Sequence, residues 1–416
     1  MKRLINLWRA FRQLGPGIIT GASDDDPSGI ATYSQAGAQF GLATLWTAWI
    51  TFPLMAAVQE MCARVGIVTA QGLAGVIKQH YSRRVLYLII LISFPAITLN
   101  IGADIAGMGA VAHLLFPRIP TAAFNVFFTG FLMSIIIYFP YETIASVLKW
   151  LCLTLLLYLI IPFLTHPDWG LIARSTILPT IHLDKDFASM LVAILGTTIS
   201  PYLFFWQASM EVENRQLISP AVLVDKRVIN SMRTDVNFGM LCSNVVMFFI
   251  ILSAGTVLFK AGIHHIDTVD QAAKAFEPLA GEDAYWLFAL GVIGTGALAI
   301  PVLAGSLSYM MAETFDWDHG LSKRFGQAKG FYLTMIISLL IGLSLDFLSI
   351  SPIQALIWTA IGYGLTAPVL IFIILRICNN TLIMGEFTNS SRTNLLGWSA
   401  FGLMTVAALL LLYLQF

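Results

Sequence analysis

Residues 15–41 read GPGIITGASDDDPSGIATYSQAGAQFG. Three consecutive carboxylates, Asp24, Asp25 and Asp26, are followed by Pro27, Ser28 and Gly29, with apolar sequence on both sides. About 20 residues are needed to cross the hydrocarbon core of a bilayer. Neither 14–24 nor 30–40 reaches that length, whereas together they make one span with its charges at the centre. An ionised side chain there costs at least about 2.5–3.5 kcal/mol, so three in a row require a function. Pro27 removes a helical hydrogen bond and Gly29 tolerates unusual dihedrals, so the helix is expected to break around them.

The remainder of the chain supports a membrane setting. Of 416 residues, 57% are hydrophobic and 11% charged, against about 25% charged in a soluble domain. Eleven apolar ranges are long enough to span: 14–40, 44–66, 84–112, 122–139, 144–165, 187–210, 236–260, 284–313, 328–346, 351–377 and 395–415. Backbone groups in lipid must be satisfied within their own segment, so these are expected to be helices and the fold an all-α membrane protein. Lys and Arg collect in alternate loops, which assigns the N-terminus to the cytoplasm and the C-terminus to the outside. Segment 1–13 is basic and amphipathic without a cleavage site, and reads as an interfacial segment rather than a removed signal. A net charge of zero gives no indication of a nucleic-acid partner. The four cysteines are scattered and form neither a metal spacing nor a disulfide framework.

A second interrupted span lies at 191–214, LVAILGTTISPYLFFWQASMEVEN, where Gly196, Thr197, Ser200 and Pro201 stand in apolar sequence. Interrupted helices at corresponding places in two halves are the sequence sign of a transporter built from inverted repeats, with its site where the breaks meet. The whole chain, 1–416, is then one transmembrane transporter domain. Its first repeat is 14–165, its second 187–377, and 395–415 is an added eleventh helix.

The motifs GPG, DPSG, IAT, QAGAQFG and GIVT between Gly15 and Thr69 resemble the start of the Nramp divalent metal-ion transporters. That resemblance implies the LeuT-type fold, two inverted five-helix repeats with broken helices 1 and 6, plus an eleventh helix. The family has Asp-Pro-Gly-Asn in the first broken helix and Met-Pro-His in the sixth. Aligned on the prolines, Asp26 matches the metal-binding Asp, Gly29 takes the place of the Asn and Ser200 that of the Met. Tyr202 takes the place of the His, and Thr197 falls where the family offers a backbone carbonyl. The metal candidates are therefore Asp26, Asp25, Gly29, Thr197 and Ser200, with Asp24, Tyr202, Asp104 and Gln207 as candidate pathway residues. Loss of a soft thioether favours hard cations such as Mg²⁺, Ca²⁺ and Mn²⁺. Mg²⁺ sheds water reluctantly and suits a roomier all-oxygen site. The doubled Asp before Pro27 and the missing Met resemble the Nramp-related magnesium transporters, a divergent branch.

The family's proton relay is thinned. Asp104 survives on the third span, but Gly107 stands at the relay's Glu position, Tyr202 at its His, and the ninth span has no Arg. A dication entering a cell at about −100 mV gains about 4.6 kcal/mol, more than a roughly thousandfold accumulation. Mg²⁺ uptake with Mn²⁺ as a second substrate, uncoupled from protons and carried out by a monomer, is the expectation; no cofactor is expected. A proton-coupled Mn²⁺/Fe²⁺ transporter of the ordinary type, a carrier of an organic solute and a non-transporting membrane sensor are the alternatives. An enzyme is disfavoured because all seven histidines fall in loops or at helix ends. Glu60 and Arg64, four residues apart, are expected to pair. Gln207, Glu211 and Glu213 are read as marking where the sixth helix meets water, with a place along the inner vestibule as the alternative.

Overall fold

The computed structural model describes residues 15–139, 153–218, 224–345 and 351–415, and every regular element among them is helical. The first span is two helices, α1 (Pro16–Asp24) and α2 (Pro27–Phe40), separated by Asp25 and Asp26. The sixth is likewise split into α8 (Lys185–Thr198) and α9 (Pro201–Ile218), separated by Ile199 and Ser200. Between them run α3 (Trp46–Thr69), α4 (Leu73–His80), α5 (Arg83–Leu115), α6 (Thr121–Tyr138) and α7 (Trp169–Ile177). After them come α10 (Lys226–Val257), α11 (Ala284–Phe315), α12 (Lys329–Ser344), α13 (Pro352–Cys378) and α14 (Ser391–Gln415). Part of the expected fifth span lies outside the described residues; what is described of it is a 3₁₀ stretch, Leu153–Leu159, and one helical turn, Ile161–Leu164. The sequence reading did not foresee α4, which turns away from α3 by 68°, or α7.

Both breaks are set by the same chemistry, and both fall slightly away from the glycines expected to make them. Each second half-helix starts with a proline at N1, where its missing N–H leaves nothing unpaired. The residue ahead of a proline is forced out of helical geometry, and Asp26 is extended at φ −71°, ψ 172°. Gly29 is an ordinary helical residue inside α2, and Gly196 an ordinary one inside α8. Gly196 serves packing instead: a Cβ there would lie 2.1 Å from the Ala360 carbonyl oxygen of α13.

The broken spans form the centre of the bundle. The apolar window of α8–α9 is 89% buried, against 33% for α14 and 28% for α6, which therefore present most of their surface to lipid. α1 crosses α10 with backbones touching: a Cβ on Gly21 would lie 2.3 Å from the Gly239 carbonyl oxygen, and one on Gly239 would lie 2.2 Å from that of Gly17. Small residues permit such approach where lipid supplies no hydrophobic drive. Asp235 of α10 secures the same crossing by accepting hydrogen bonds from the N–H groups of Gly15 (3.1 Å) and Gly17 (2.7 Å), at the positive start of α1.

At the end of the bundle where the basic loops gather, Glu60 pairs with Arg233 of α10 at 2.8 Å, not with Arg64. Arg64 reaches instead to the Thr388 carbonyl at 3.3 Å and the Asn389 side chain. Spacing along one helix gave the wrong partner because interhelical contacts claimed both groups. Cys62 and Cys378 are buried and Cys242 is exposed, all as free thiols.

The Gly239→Ala variant is expected to lower the melting temperature in detergent, since overpacking costs about 1–3 kcal/mol. Gly402→Ala on α14, where a Cβ meets nothing within 4 Å, is expected to leave it unchanged or raised, and thermal unfolding of the two variants compares them directly.

Candidate cation site at the two helix breaks

Asp26 caps α2. Its Oδ1 accepts the Gly29 N–H at 2.7 Å, the usual N-cap arrangement. Its Oδ2 accepts from the side-chain amide of Asn100 on α5 at 3.0 Å. The same amide nitrogen lies 3.4 Å from Asp104 Oδ2, and the Asn100 carbonyl oxygen accepts from the Thr359 hydroxyl of α13 at 2.9 Å. One amide thus ties the break to α5 and α13.

Asp24 closes α1 at the negative end of the helix dipole, where a further negative charge is unfavourable and a cation is favoured. Ser243 of α10 donates to Asp24 Oδ2 at 2.7 Å and lies 3.3 Å from Asp25 Oδ1. Asp24 Oδ1 and Asp104 Oδ1 are buried without a hydrogen-bond partner. Asp24, Asp25, Asp26 and Asp104 are between 0% and 3% exposed. The ion pairs found among the described residues lie elsewhere, joining Lys78 to Asp316, Arg233 to Glu60, Lys274 to Asp270 and Lys323 to Asp318.

The second break faces the first. A Cβ on Gly29 would lie 3.5 Å from Thr197 Oγ1 and 3.3 Å from the Asp24 carbonyl oxygen. The Tyr202 hydroxyl donates to the Ser23 carbonyl at 2.8 Å, and Tyr33 of α2 is hydrogen-bonded to Thr198 at 2.9 Å. The Ser200 hydroxyl turns back on its own span, donating to the carbonyl oxygens of Thr197 (2.5 Å) and Gly196 (3.2 Å). Gln207 belongs to a separate contact further along α9: its Oε1 lies 2.5 Å from the Thr20 hydroxyl, and its Nε2 donates to Glu211 at 2.9 Å.

The structure therefore brings Asp24, Asp25, Asp26, Gly29, Thr197, Tyr202 and Asp104 to one junction, leaves Ser200 engaged with its own helix, and sets Gln207 apart. Sequence reasoning missed Asn100, Ser243, Thr359 and Tyr33. Only Asn100 carried a signal, one helical turn before Asp104. On α13, Gln354 and Trp358 point outward, and Leu356 and Thr359 face the interior. Among the described residues no three His, Cys, Asp or Glu side chains are grouped closely enough to hold a metal ion by themselves. An ion here needs backbone carbonyls, hydroxyls or its own waters to complete its shell, as hard cations accept.

Access differs between the two ends. Toward the 261–283 loop, Pro27, Ile30 and Ala31 close against Val111, Ile266, Phe288 and Leu356, leaving a void of about 20 Å³. Gln35 of α2 fastens that loop by accepting the Ile266 N–H at 2.8 Å. At the basic end, a cavity of about 750 Å³ opens between α4, α9, α11 and residues 316–323. Glu213 of α9 and Glu313 of α11 line it; Gln207, Glu211 and Glu213 are all buried, so α9 does not meet water where the sequence suggested, and Glu213 takes the alternative place along a cavity. Glu313 accepts from the Gly75 N–H (2.9 Å) and the Ser209 hydroxyl (2.8 Å), while Glu213 accepts from Tyr309 and from the Leu321 (3.0 Å) and Ser322 (2.6 Å) N–H groups. On the rim, the hydrogen bond from Lys323 lowers the Asp318 carboxyl below its ordinary pKa.

A family model described as natural resistance-associated macrophage protein-like (Nramp) matches residues 17–414. The chain belongs to the Nramp family. Among curated relatives of this Nramp chain, the divalent metal cation transporter MntH of Caldanaerobacter subterraneus is 22% identical over 99% of the chain and 94% of its own length. That of Clostridium acetobutylicum is 24% identical over 99% and 93%. In structure, the manganese transporter of Eremococcus coleocola superposes with a TM-score of 0.75 at 19% identity, covering 95% of this chain and 85% of that one. Mhp1, a nucleobase-cation-symport-1 family transporter, gives 0.56 at 11% identity over 97% and 93%. The fold is thus the LeuT type with broken helices 1 and 6, as the sequence led us to expect.

Tyr202→Phe leaves the Ser23 carbonyl of this junction without its donor. A buried group orphaned in this way costs about 1–3 kcal/mol, so the variant is expected to melt at lower temperature than the parent.

Proposed function

We propose that this Nramp chain carries divalent metal cations across a bacterial inner membrane, with Mg²⁺ the main substrate and Mn²⁺ a second one. Four buried carboxylates without a cationic side chain against them, in a junction of oxygen donors, are the observation that carries this reading. Asp26 and Asp25 are the direct ligands, assisted by carbonyls of the α8 end around Thr197, and Gly29 contributes no ligand side chain while keeping the Asp24 carbonyl and Thr197 close. Asp24 and Tyr202 border the pathway, which leads past Gln207 to the cavity at the basic end. With that end cytoplasmic, the ion would leave between Glu213 and Glu313, the N-terminus would lie inside and the C-terminus outside. The carrier works as a monomer and no resident cofactor is invoked.

Transport without proton coupling rests on the residues standing at the relay positions. Gly107 packs with its Cα toward Leu356 and Pro27, Tyr202 is committed to the Ser23 carbonyl, and α12 contains no Arg. The membrane potential alone drives a dication inward. Proton-coupled Mn²⁺ transport is the competing reading, and its metal is the one for which the Eremococcus coleocola transporter is named.

Uptake into proteoliposomes, followed for Mg²⁺ and Mn²⁺ beside an internal pH dye, separates the two. Entry of Mg²⁺ without acidification, abolished in Asp26→Ala, is the expected outcome; entry of Mn²⁺ alone with protons following would establish the competing reading. The double variant Gly29→Asn, Ser200→Met supplies an amide and a soft thioether, and is expected to shift the preference from Mg²⁺ toward Mn²⁺. Competition between the two ions in the same assay measures that shift.

A further inference from the structure

A second cavity, of about 460 Å³, opens where the end of α13 meets the start of α14 and the turn ahead of α5. That volume lies within the range of about 300–1,000 Å³ typical of small-molecule sites. Its polar lining among the described residues is Tyr81, Arg376, Asn379, Asn380, Asn394 and Trp398, with no Asp or Glu. Arg376 is exposed, and none of the ion pairs found among the described residues includes it. Its guanidinium carries five N–H donors and no acceptor, and the Trp398 indole is likewise a donor only. Asn380 uses its side-chain oxygen to accept the Leu382 N–H at 2.9 Å, which leaves its NH₂ group for the cavity. Tyr81 lies within electrostatic range of the same guanidinium: burial raises its phenol pKa, and Arg376 opposes the rise. The floor is already braced, since Asn379 and Asn394 exchange amide hydrogen bonds at 2.7 Å in each direction and Asn389 donates to Asn394 at 2.9 Å. A cationic cavity rich in donors and free of carboxylates is complementary to an anion.

The surroundings say what kind of anion. From Trp398 an aromatic strip leaves the cavity toward the middle of the span: Phe372 of α13 lies 6.1 Å from Trp398 and 5.7 Å from Phe401, which are themselves 5.6 Å apart, centroid to centroid. Phe372 and Trp398 are exposed, and α14 presents most of its surface to lipid. Tyr and Trp collect at the headgroup level of a bilayer, and basic pockets between spanning helices bind lipid phosphates. We propose that this cavity binds the phosphate headgroup of an anionic phospholipid, with an acyl chain laid along Phe372, Trp398 and Phe401. Arg376 pairs with the phosphate, and Tyr81 and Asn380 donate to its remaining oxygens. A soluble phosphate would satisfy the same donors but would leave the aromatic strip unused. A lipid seated here ties α14 to α13, the helix that brings Thr359 to the junction. The inference is independent of which ion the chain carries.

Dioctanoyl phosphatidylglycerol, dioctanoyl phosphatidylcholine and inorganic phosphate, each titrated into the purified full chain in neutral detergent, test it. The rise in melting temperature gives the apparent affinity. Phosphatidylglycerol is expected to bind at concentrations where phosphatidylcholine and inorganic phosphate have little effect. Arg376→Gln is expected to weaken it at least about tenfold, the scale of a lost charge-assisted hydrogen bond. Trp398→Leu is expected to weaken it less, and Arg324→Gln, which removes a charge from the same end outside the cavity, to leave it unchanged. Equal binding of the two lipids would overturn the proposal, as would equal losses in Arg376→Gln and Arg324→Gln, the mark of diffuse surface charge. Inorganic phosphate binding as tightly as phosphatidylglycerol, with Trp398→Leu without effect, would replace the lipid with a soluble anion.

Discussion

A carboxylate taken out of water without a counter-charge is among the least favourable groups that a protein holds at membrane depth, and four of them surround the first break of this chain. The rest of the architecture can be followed outward from that constraint. The helix stops between Asp24 and Pro27, which turns the amide-rich start of α2 toward Asp26 and gives it the Gly29 N–H. It also leaves Asp24 at the carbonyl end of α1, where a cation is the natural complement. Ser243, Asn100 and Thr359 then supply hydrogen bonds from three further helices. These hydrogen bonds are partial satisfaction: two carboxylate oxygens stay unpartnered.

The same constraint shapes the packing around the junction. Helices bearing such a site must meet closely enough for short polar side chains to touch, and glycines at the crossings of α1 with α10 and of α8 with α13 remove the atoms that would hold them apart. Apolar side chains close one end of the bundle beside the junction, and at the other end a cavity of about 750 Å³ opens, lined by residues of α4, α9 and α11 and not by the junction carboxylates. At the cavity end, Glu213 and Glu313 are each held by several hydrogen-bond donors, so they fasten the first turn of α4 and residues 321–322 to the ends of α9 and α11 that line the cavity.

Family membership and site chemistry carry different weight here. The Nramp match spans nearly the whole chain and sets the fold, while the side chains at the ligand positions depart from the family pattern. Gly29 and Ser200 contribute no soft donor, and the Ser200 hydroxyl is turned toward Thr197. What remains at the junction is hard oxygen chemistry, of the kind that suits Mg²⁺, Ca²⁺ and Mn²⁺.

The amino-acid sequence by itself determined the membrane class, the places of the long helices other than the fifth span, and the fact of two breaks, because hydropathy, proline and a run of three aspartates act locally. It also marked Asp26, Asp25, Asp24 and Asp104, since a charge in an apolar span is conspicuous without knowing its neighbours. It misplaced the hinge glycines, paired Glu60 with Arg64, and gave Glu213 to water, because each of those depends on which other helix stands opposite. Ser243, Thr359 and the partnership of Asn100 with two carboxylates were decided only by the tertiary structure. A serine, a threonine or an asparagine in a span is unremarkable along the chain and acquires meaning only when packing of α5, α10 and α13 against the break aims its one or two hydrogen bonds at a buried charge.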